Sequence, residues 1–533
     1  KVMLIFSIIT VLIIALAVSL SMKRQLMMFQ QNSYRPDRYA NWRQQAHDST
    51  SLDKLIGYAI FFISLLRIMP PVAYLTLISL FGLINFIRLA KAKYKKPLVF
   101  TKRAIRIYAV ALILVLALQC VPAFFLQKPC EYGAIDAIAI TLTLCYICAD
   151  LFILLANIIL SPVEKAINRK YYNEAANILK SMPDLKIVGI TGSYGKTSTK
   201  HYLHRILSEQ FDVMMTPGNF NTTLGVVRTV REYLKPYNQV FIVEMGAKQT
   251  NDIKEICDLV HPQIGIITAV GPMHLESFKT IENVQATKFE LADALPSDGL
   301  AVVNNDFEYI ANRKVTNVEC IRYAVEEGNN TDFKAIDIEY TPQGTHFKIA
   351  DKDGNEVISL FTKLVGSCNV SNLMAAIIVA LRLGMSKNKI QYAVEKIEQV
   401  EHRLSVKRTA SGITIIDDAY NSNPVGSKMA LEVLSGMTTG KRIVITPGMI
   451  ELGKDQYDLN VQLGEAMAKS ADIAIVVGEY NRDAIHEGLK NGGMPQESIQ
   501  LVDSFAQAQK LMLQIAKSGD VVLYENDLPD TFK

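Results

Sequence analysis

One stretch limits the folds open to this chain more than any other: Lys186-Ile-Val-Gly-Ile-Thr-Gly-Ser-Tyr-Gly-Lys-Thr-Ser-Thr199. The apolar run 187–190 predicts a strand, the glycines after it a turn, and the residues on to about Glu209 a helix. Strand, glycine turn, Gly-Lys-Thr and helix form the layout of a phosphate-binding loop. Glycines let backbone N–H groups approach phosphate oxygens, and the helix N-terminus adds partial positive charge. Lys196 is placed to reach the β/γ-phosphates, and Thr197 to offer its hydroxyl to Mg²⁺. Gly192, Ser193, Gly195 and Ser198 complete the candidate nucleotide contacts. The spacing departs from G-x-x-x-x-G-K: that pattern needs glycine at Ile190, and here the glycines are Gly189 and Gly192. A chance Gly-Lys-Thr in an ordinary loop would lack the flanking strand and helix.

Downstream, apolar strands alternate with helical stretches. The run 239–245 ends at Glu244, and 264–270 leads into Gly271-Pro-Met-His274-Leu-Glu276. Acids and histidine at strand C-termini are where an open α/β sheet places its site. Short alternating runs over 300–365, with an Asp353-Gly354 turn, predict an antiparallel patch. From Ser411 the strand–helix alternation restarts, predicting a second α/β domain.

The residues before position 160 follow a different rule. Apolar runs at 2–20, 55–69, 71–90, 105–126 and 134–160 predict five membrane crossings, the second of them short. Loops 21–54 and 91–103 are rich in Lys and Arg, whereas 127–133 holds only Lys128 and Glu131. The positive-inside rule then places the N-terminus outside, the basic loops in the cytoplasm and the phosphate loop beside cellular ATP. A signal peptide at 2–20 would put loop 21–54 outside, against its charge. Asp136 is expected at a wet helix end. Asp150 lies deeper, either as a functional carboxylate or as one half of a helix–helix hydrogen bond. A net charge of only +4 suggests no nucleic-acid partner, and the seven cysteines show no paired spacing.

Taken together the soluble motifs resemble one family. They are Thr191-Gly-Ser-Tyr-Gly-Lys-Thr-Ser198, Gly218-Asn-Phe-Asn-Thr-Thr-Leu-Gly225, Val243-Glu-Met-Gly-Ala247, Gly271-Pro-Met-His-Leu-Glu276 and Lys288. Gly366-Ser-Cys-Asn-Val-Ser-Asn372, Glu401-His-Arg-Leu404 and Asp417-Asp-Ala-Tyr-Asn-Ser-Asn-Pro424 extend the set. The set resembles the Mur ligases, nearest the MurF branch, over 185–533. With the apolar runs, which the resemblance does not cover, the fold expected is an α-helical transmembrane domain (1–162), a connecting helix (163–184), an ATP-binding central domain (185–408) and a Rossmann-like C-terminal α/β domain (409–533).

The resemblance implies ATP-dependent amide bond formation through an acyl phosphate. The acceptor is a small-molecule or lipid-linked carboxylate of the cell envelope, and the donor is an amino acid or peptide amine. Thr197 and Glu244 would hold one Mg²⁺, and His274 with a carbamylated Lys288 the other. Asn369, Asn372, Arg403 and Asp418 would contact ATP. The chain is expected to be multi-pass in the cell membrane, with the catalytic domains cytoplasmic and lipid as a partner. Two other readings are a poly-γ-glutamate synthase-like ligase and a nucleotide-sensing membrane module with a non-catalytic core. The chain departs from the family at Cys368, usually histidine, and at Ser367, often arginine. Residues 161–184 stand where MurF enzymes have a soluble domain for the acceptor's uridine nucleotide. Glu525, Asp527 and Asp530 replace a basic segment; either this tail only caps the sheet, or it faces the site and predicts an amine substrate that lacks a nearby free carboxylate or carries an extra positive charge.

Overall fold

A computed structural model describes residues 2–94, 96–125, 133–326, 331–341, 344–419 and 422–527. Most of loop 127–133, Tyr420, Asn421 and the tail from Leu528 to Asp530 lie outside the described residues. The chain divides into two compact units near position 168.

The first unit is helical: Val2–Gln31, Pro36–Gln45, Leu52–Leu65, Pro71–Lys91, Lys102–Phe125, Gly133–Ile147 and the start of Ala149–Lys180. Many of its large apolar side chains, such as Leu12, Leu66, Ile84 and Leu116, point outward. An outward apolar surface suits lipid rather than water. Among the described residues, three helices are long and apolar enough to cross a membrane: Val2–Gln31, Pro71–Lys91 and Lys102–Cys120. There are four if Gly133–Ile147 and Ala149–Lys180, bent by 76°, count as one span.

The expected five crossings are therefore not reached. Leu52–Leu65 has 14 residues, about 21 Å of helix against an apolar slab of about 30 Å. The expected break at 162/163 is also absent. Ala149–Lys180 runs through Pro162 as one helix, with proline costing it a single backbone donor.

The buried acids inside this unit are paired. Asp150 accepts Arg43 at 2.6 Å and lies 3.6 Å from Lys54, which also meets Asp48 at 3.0 Å. Asp150 is thus an anchor between helices, bonded by ion pairs. Asp136, expected to be wet, is buried and accepts hydrogen bonds from Ser7 and Tyr74 at 3.0 and 2.8 Å.

The second unit begins with β1 (Lys186–Thr191), β2 (Val213–Met215), β3 (Val240–Glu244), β4 (Ile264–Ile267) and β5 (Leu300–Asn304). It continues with β6 (Glu319–Ala324), β7 (Phe333–Thr341), β8 (Gly344–Asp351) and β9 (Glu356–Thr362). Among the described residues these form one sheet in the order β2-β3-β1-β4-β5-β6-β7-β8-β9. The predicted antiparallel patch is confined to β7–β9, since β5 and β6 pair in parallel. Helices cover both faces. Lys196–Leu207, Ser367–Arg382 and Lys387–Glu395 pack on one, and Thr223–Glu232, Asp252–Val260 and Ile281–Asp293 on the other. Double coverage explains why strands such as β3 are buried at every position.

A second sheet follows: β10 (Ser405–Arg408), β11 (Thr414–Asp418), β12 (Arg442–Thr446), β13 (Ile473–Val477), β14 (Ile499–Val502) and β15 (Val521–Glu525). Its order is β10-β11-β15-β12-β13-β14, parallel except for β10. Because β10 belongs to this sheet, the second domain begins before position 409.

Candidate active site

The turn after β1 is built by backbone constraint. Gly192 has φ +151°, and a Cβ there would lie 2.1 Å from the Thr268 hydroxyl oxygen. Gly195 has φ +77° and a Cβ there would meet Asn372 Oδ1 at 2.3 Å. Only glycine fits both places. Ser193 fastens the loop to the next strand end. Its hydroxyl donates to the Gly271 carbonyl and accepts from the Gly271 amide, both at 3.1 Å. Tyr194 donates to the Pro272 carbonyl at 3.1 Å. The phosphate loop and the loop carrying His274 are therefore one braced unit.

Lys196 Nζ donates to the carbonyls of Gly192 and Ser193, at 2.5 and 3.2 Å. Burial pulls its pKa down to about 8, even though Glu244 pulls the other way. Thr197 donates to Glu244 Oε1 at 3.2 Å, and Asn221 donates to the same oxygen at 3.1 Å. Glu244 Oε2 lies 3.0 Å from Lys200 Nζ. Burial would raise the Glu244 pKa, but Lys200 and Lys196 hold it below the usual range. Adjacent hydroxyl and carboxylate oxygens are the donor set a hard cation takes, so Thr197 and Glu244 fit Mg²⁺.

His274 and Lys288 share a second locus. His274 sits at φ +53° and its Nδ1 meets Glu451, which reaches over from the loop after β12. Burial lowers the His274 pKa. Lys288 is buried, and burial followed by the Lys196 charge lowers its pKa to about 7. Among the described residues no carboxylate lies within ion-pair reach of Lys288, and no three His, Cys, Asp or Glu side chains form a metal cluster. The acid at this locus, Glu451, is on the His274 side, and Lys288 has no ion-pair partner among the described residues.

The expected nucleotide contacts divide. Arg403 comes from the second domain's leading edge, with Nη2 3.5 Å from the Thr197 hydroxyl. Asp418 Oδ1 accepts from the Leu404 amide at 3.0 Å, and burial raises the Asp418 pKa. Arg403 reaches the phosphate loop, and Asp418 is tied to the residue that follows Arg403. Asn369 and Asn372 also make internal bonds. Asn369 donates to the Val365 carbonyl and accepts from Tyr202, while Asn372 accepts from Thr199. Ser198 is buried in the first turn of the loop's helix. Cys368 packs against the second domain's core beside Leu404 and Val433, so an apolar contact stands at this position.

A cavity of about 730 Å³ opens beside the loop, with Thr197, His201, Tyr202, Gly218, Asn219 and Arg403 among its lining. Among the described residues, neither Glu525 nor Asp527 lines it. Glu525 is buried and accepts from Ser422 and Ser427 at 2.6 and 2.8 Å. It therefore does not face a substrate, contrary to the second reading of the tail. Asp527 is exposed, and Asp530 lies outside the described residues.

Sequence reading missed Lys200, Asn221 and Glu451. Lys200 had a signal, since i and i+4 share a helix face with Lys196. Glu451 had none, because its partner is 177 residues away.

This layout defines a class: a phosphate-loop enzyme whose site is completed by a second α/β domain. Residues 190–380 match the Mur ligase middle domain, and 402–524 the Mur ligase, glutamate ligase domain. The chain is 30% identical over 312 residues to the UDP-N-acetylmuramoyl-tripeptide–D-alanyl-D-alanine ligase of Escherichia coli (strain K12), covering 57% of this chain and 67% of that one. The enzyme of the same name from Mycobacterium tuberculosis (strain ATCC 25618 / H37Rv) is 30% identical over 362 residues, covering 64% and 70%. The crystal structure of MurF ligase from Thermotoga maritima in complex with ADP superposes with TM-score 0.60 at 25% identity, covering 68% of this chain and 81% of that one. The chain belongs to the Mur ligase family. Within it, the chain is a MurF-like, ATP-dependent carbon–nitrogen ligase. The helical unit before position 169 lies outside both matched domains.

Proposed function

We propose that this chain is a membrane-associated ligase that joins a cell-envelope acceptor carboxylate to an amine through an acyl phosphate. The observation that carries this reading is the meeting of Lys196, Thr197 and Glu244 with Arg403 of the second domain. Phosphoryl transfer needs positioned positive charge more than covalent help from the protein. Lys196 and Arg403 supply that charge. Thr197 and Glu244 would hold Mg²⁺, which neutralises phosphate charge when bound. His274 and a carbamylated Lys288 would hold a second ion. Arg403 and Asp418, carried by the second domain, keep water from the acyl phosphate when the domains close.

By analogy with its MurF relatives, the acceptor is a UDP-muramoyl tripeptide and the amine D-alanyl-D-alanine. The apolar helices support a multi-pass membrane location, and the Lys- and Arg-rich loops 21–54 and 91–103 support a cytoplasmic site. That location favours a lipid-linked form of the same acceptor as the finer alternative. ADP release by the purified full chain in detergent tests the reading. Turnover that requires both a muramoyl-tripeptide acceptor and an amine supports it. ATP hydrolysis indifferent to acceptor and amine refutes it.

A further inference from the structure

We propose that Lys200 is a positioning residue that fixes the Gly218 loop to Glu244, and so sets one wall of the cavity beside Thr197 and Arg403, where the ligase reading would seat the acceptor carboxylate. The inference rests on the ligase reading for the identity of that acceptor, but its structural part stands apart from it.

Lys200 is 0% exposed, and lysines are almost never fully buried unless paired. Its Nζ donates to the Gly218 carbonyl at 2.6 Å and lies 3.0 Å from Glu244 Oε2. Two partners and complete burial leave it no route to a phosphate, so it is a second lysine with a different task from Lys196. The ends of the loop are secured by other groups. Thr216 donates its amide to the Ile242 carbonyl at 3.0 Å, and Asn221 accepts the Gly246 amide at 2.7 Å. Between these ends, Gly218 and Asn219 line the cavity beside Thr197 and Arg403. Lys200 ties the Gly218 backbone of that middle segment, while Arg228 lies over the ring of Phe220. Lys200 also places its charge on the carboxylate proposed to hold Mg²⁺, so it tempers Glu244 while it fixes the loop.

These two effects separate in a test. Lys200→Met frees both the loop and the Glu244 charge. The variant is expected to raise KM for the muramoyl-tripeptide acceptor about tenfold or more, while the Mg²⁺ concentration for half-maximal ADP release falls. Lys200→Arg keeps the charge and is expected to recover part of the acceptor KM. General loosening would weaken acceptor and Mg²⁺ together, and that result overturns the proposal, as does an acceptor KM within about twofold of wild type.

Hydrogen exchange reads the tie without turnover. Residues 217–221 are expected to exchange faster in Lys200→Met, and MgADP to raise its Tm by more than it raises that of wild type. Unchanged exchange refutes the tie, even if the ligase reading itself has failed on wild-type turnover. If Lys200→Met does not fold, Gly218→Ala serves. Gly218 has φ +50° with open space for a Cβ, so alanine strains the loop without touching Glu244. Acceptor KM should rise with Mg²⁺ dependence unchanged, and an unaltered acceptor KM overturns the proposal.

Discussion

Asp418 and Glu525 stand opposite each other in register, on neighbouring parallel strands β11 and β15. Burial pushes both carboxyl groups above the ordinary range, and the Asp418 charge adds to the effect on Glu525. Glu525 Oε2 is buried without a hydrogen-bond partner.

Such a pair makes stability depend on pH in a defined direction. A carboxyl whose folded pKa lies above its unfolded value stabilises the fold fully at low pH, and that contribution is lost as pH rises through the folded value. Glu525→Gln removes the charge and keeps the shape. Its Tm should exceed that of wild type at pH 9, and the gap should narrow steadily towards pH 5. Thermal melts across that range check this. A gap that widens on acidification would contradict it.

Lys196→Ala should lower kcat/KM for ATP by about 10²–10³ or more while the Tm stays near wild type, because the lost charge is needed chiefly in the transition state. ADP-release kinetics give the comparison. Turnover within about tenfold of wild type, a loss of about 1.4 kcal/mol, would remove the loop from its catalytic role.

Lys288→Ala should be nearly inactive and partly restored by small carboxylic acids, which can take the place of a carbamate. The motivation is a buried amine beside His274 with no acid in reach among the described residues. Titrating acetate or formate into the variant is the measurement. Full activity without any added acid would rule out the role.

With the other cysteines removed, a single cysteine at position 98 should react with impermeant reagents only after permeabilisation, and Cys130 should react from outside. The reverse pattern would invert the topology deduced from the basic loops.

The phosphate loop was legible in the sequence because its chemistry is local: Gly192, Gly195, Lys196 and Thr197 are dictated by backbone and charge within a few residues. Glu244 and His274 were legible from their places at strand ends. Other features depended on three-dimensional neighbours. The bonds from Tyr202 and Thr199 to Asn369 and Asn372 had no signal in the sequence, since the partners lie more than 160 residues apart. Glu525 read as a tail acid, and only the fold shows Ser422 and Ser427 turned towards it. In the helical unit hydropathy located the long apolar helices but not their lengths, and it missed the polar helix Pro36–Gln45. The segment at 55–69 became a helix of 14 residues, and Pro162 did not end the helix that contains it.

The bonds from Lys196 to the carbonyls of Gly192 and Ser193 bear on how quickly the enzyme can cycle. A buried ammonium stripped of its phosphate partner would be costly. Here two carbonyl oxygens of its own loop can receive it as ADP departs. Letting go of product therefore does not leave a bare charge behind. If Lys196 holds the nucleotide as proposed, the exit step, which limits the pace of many enzymes, would be eased by the same lysine.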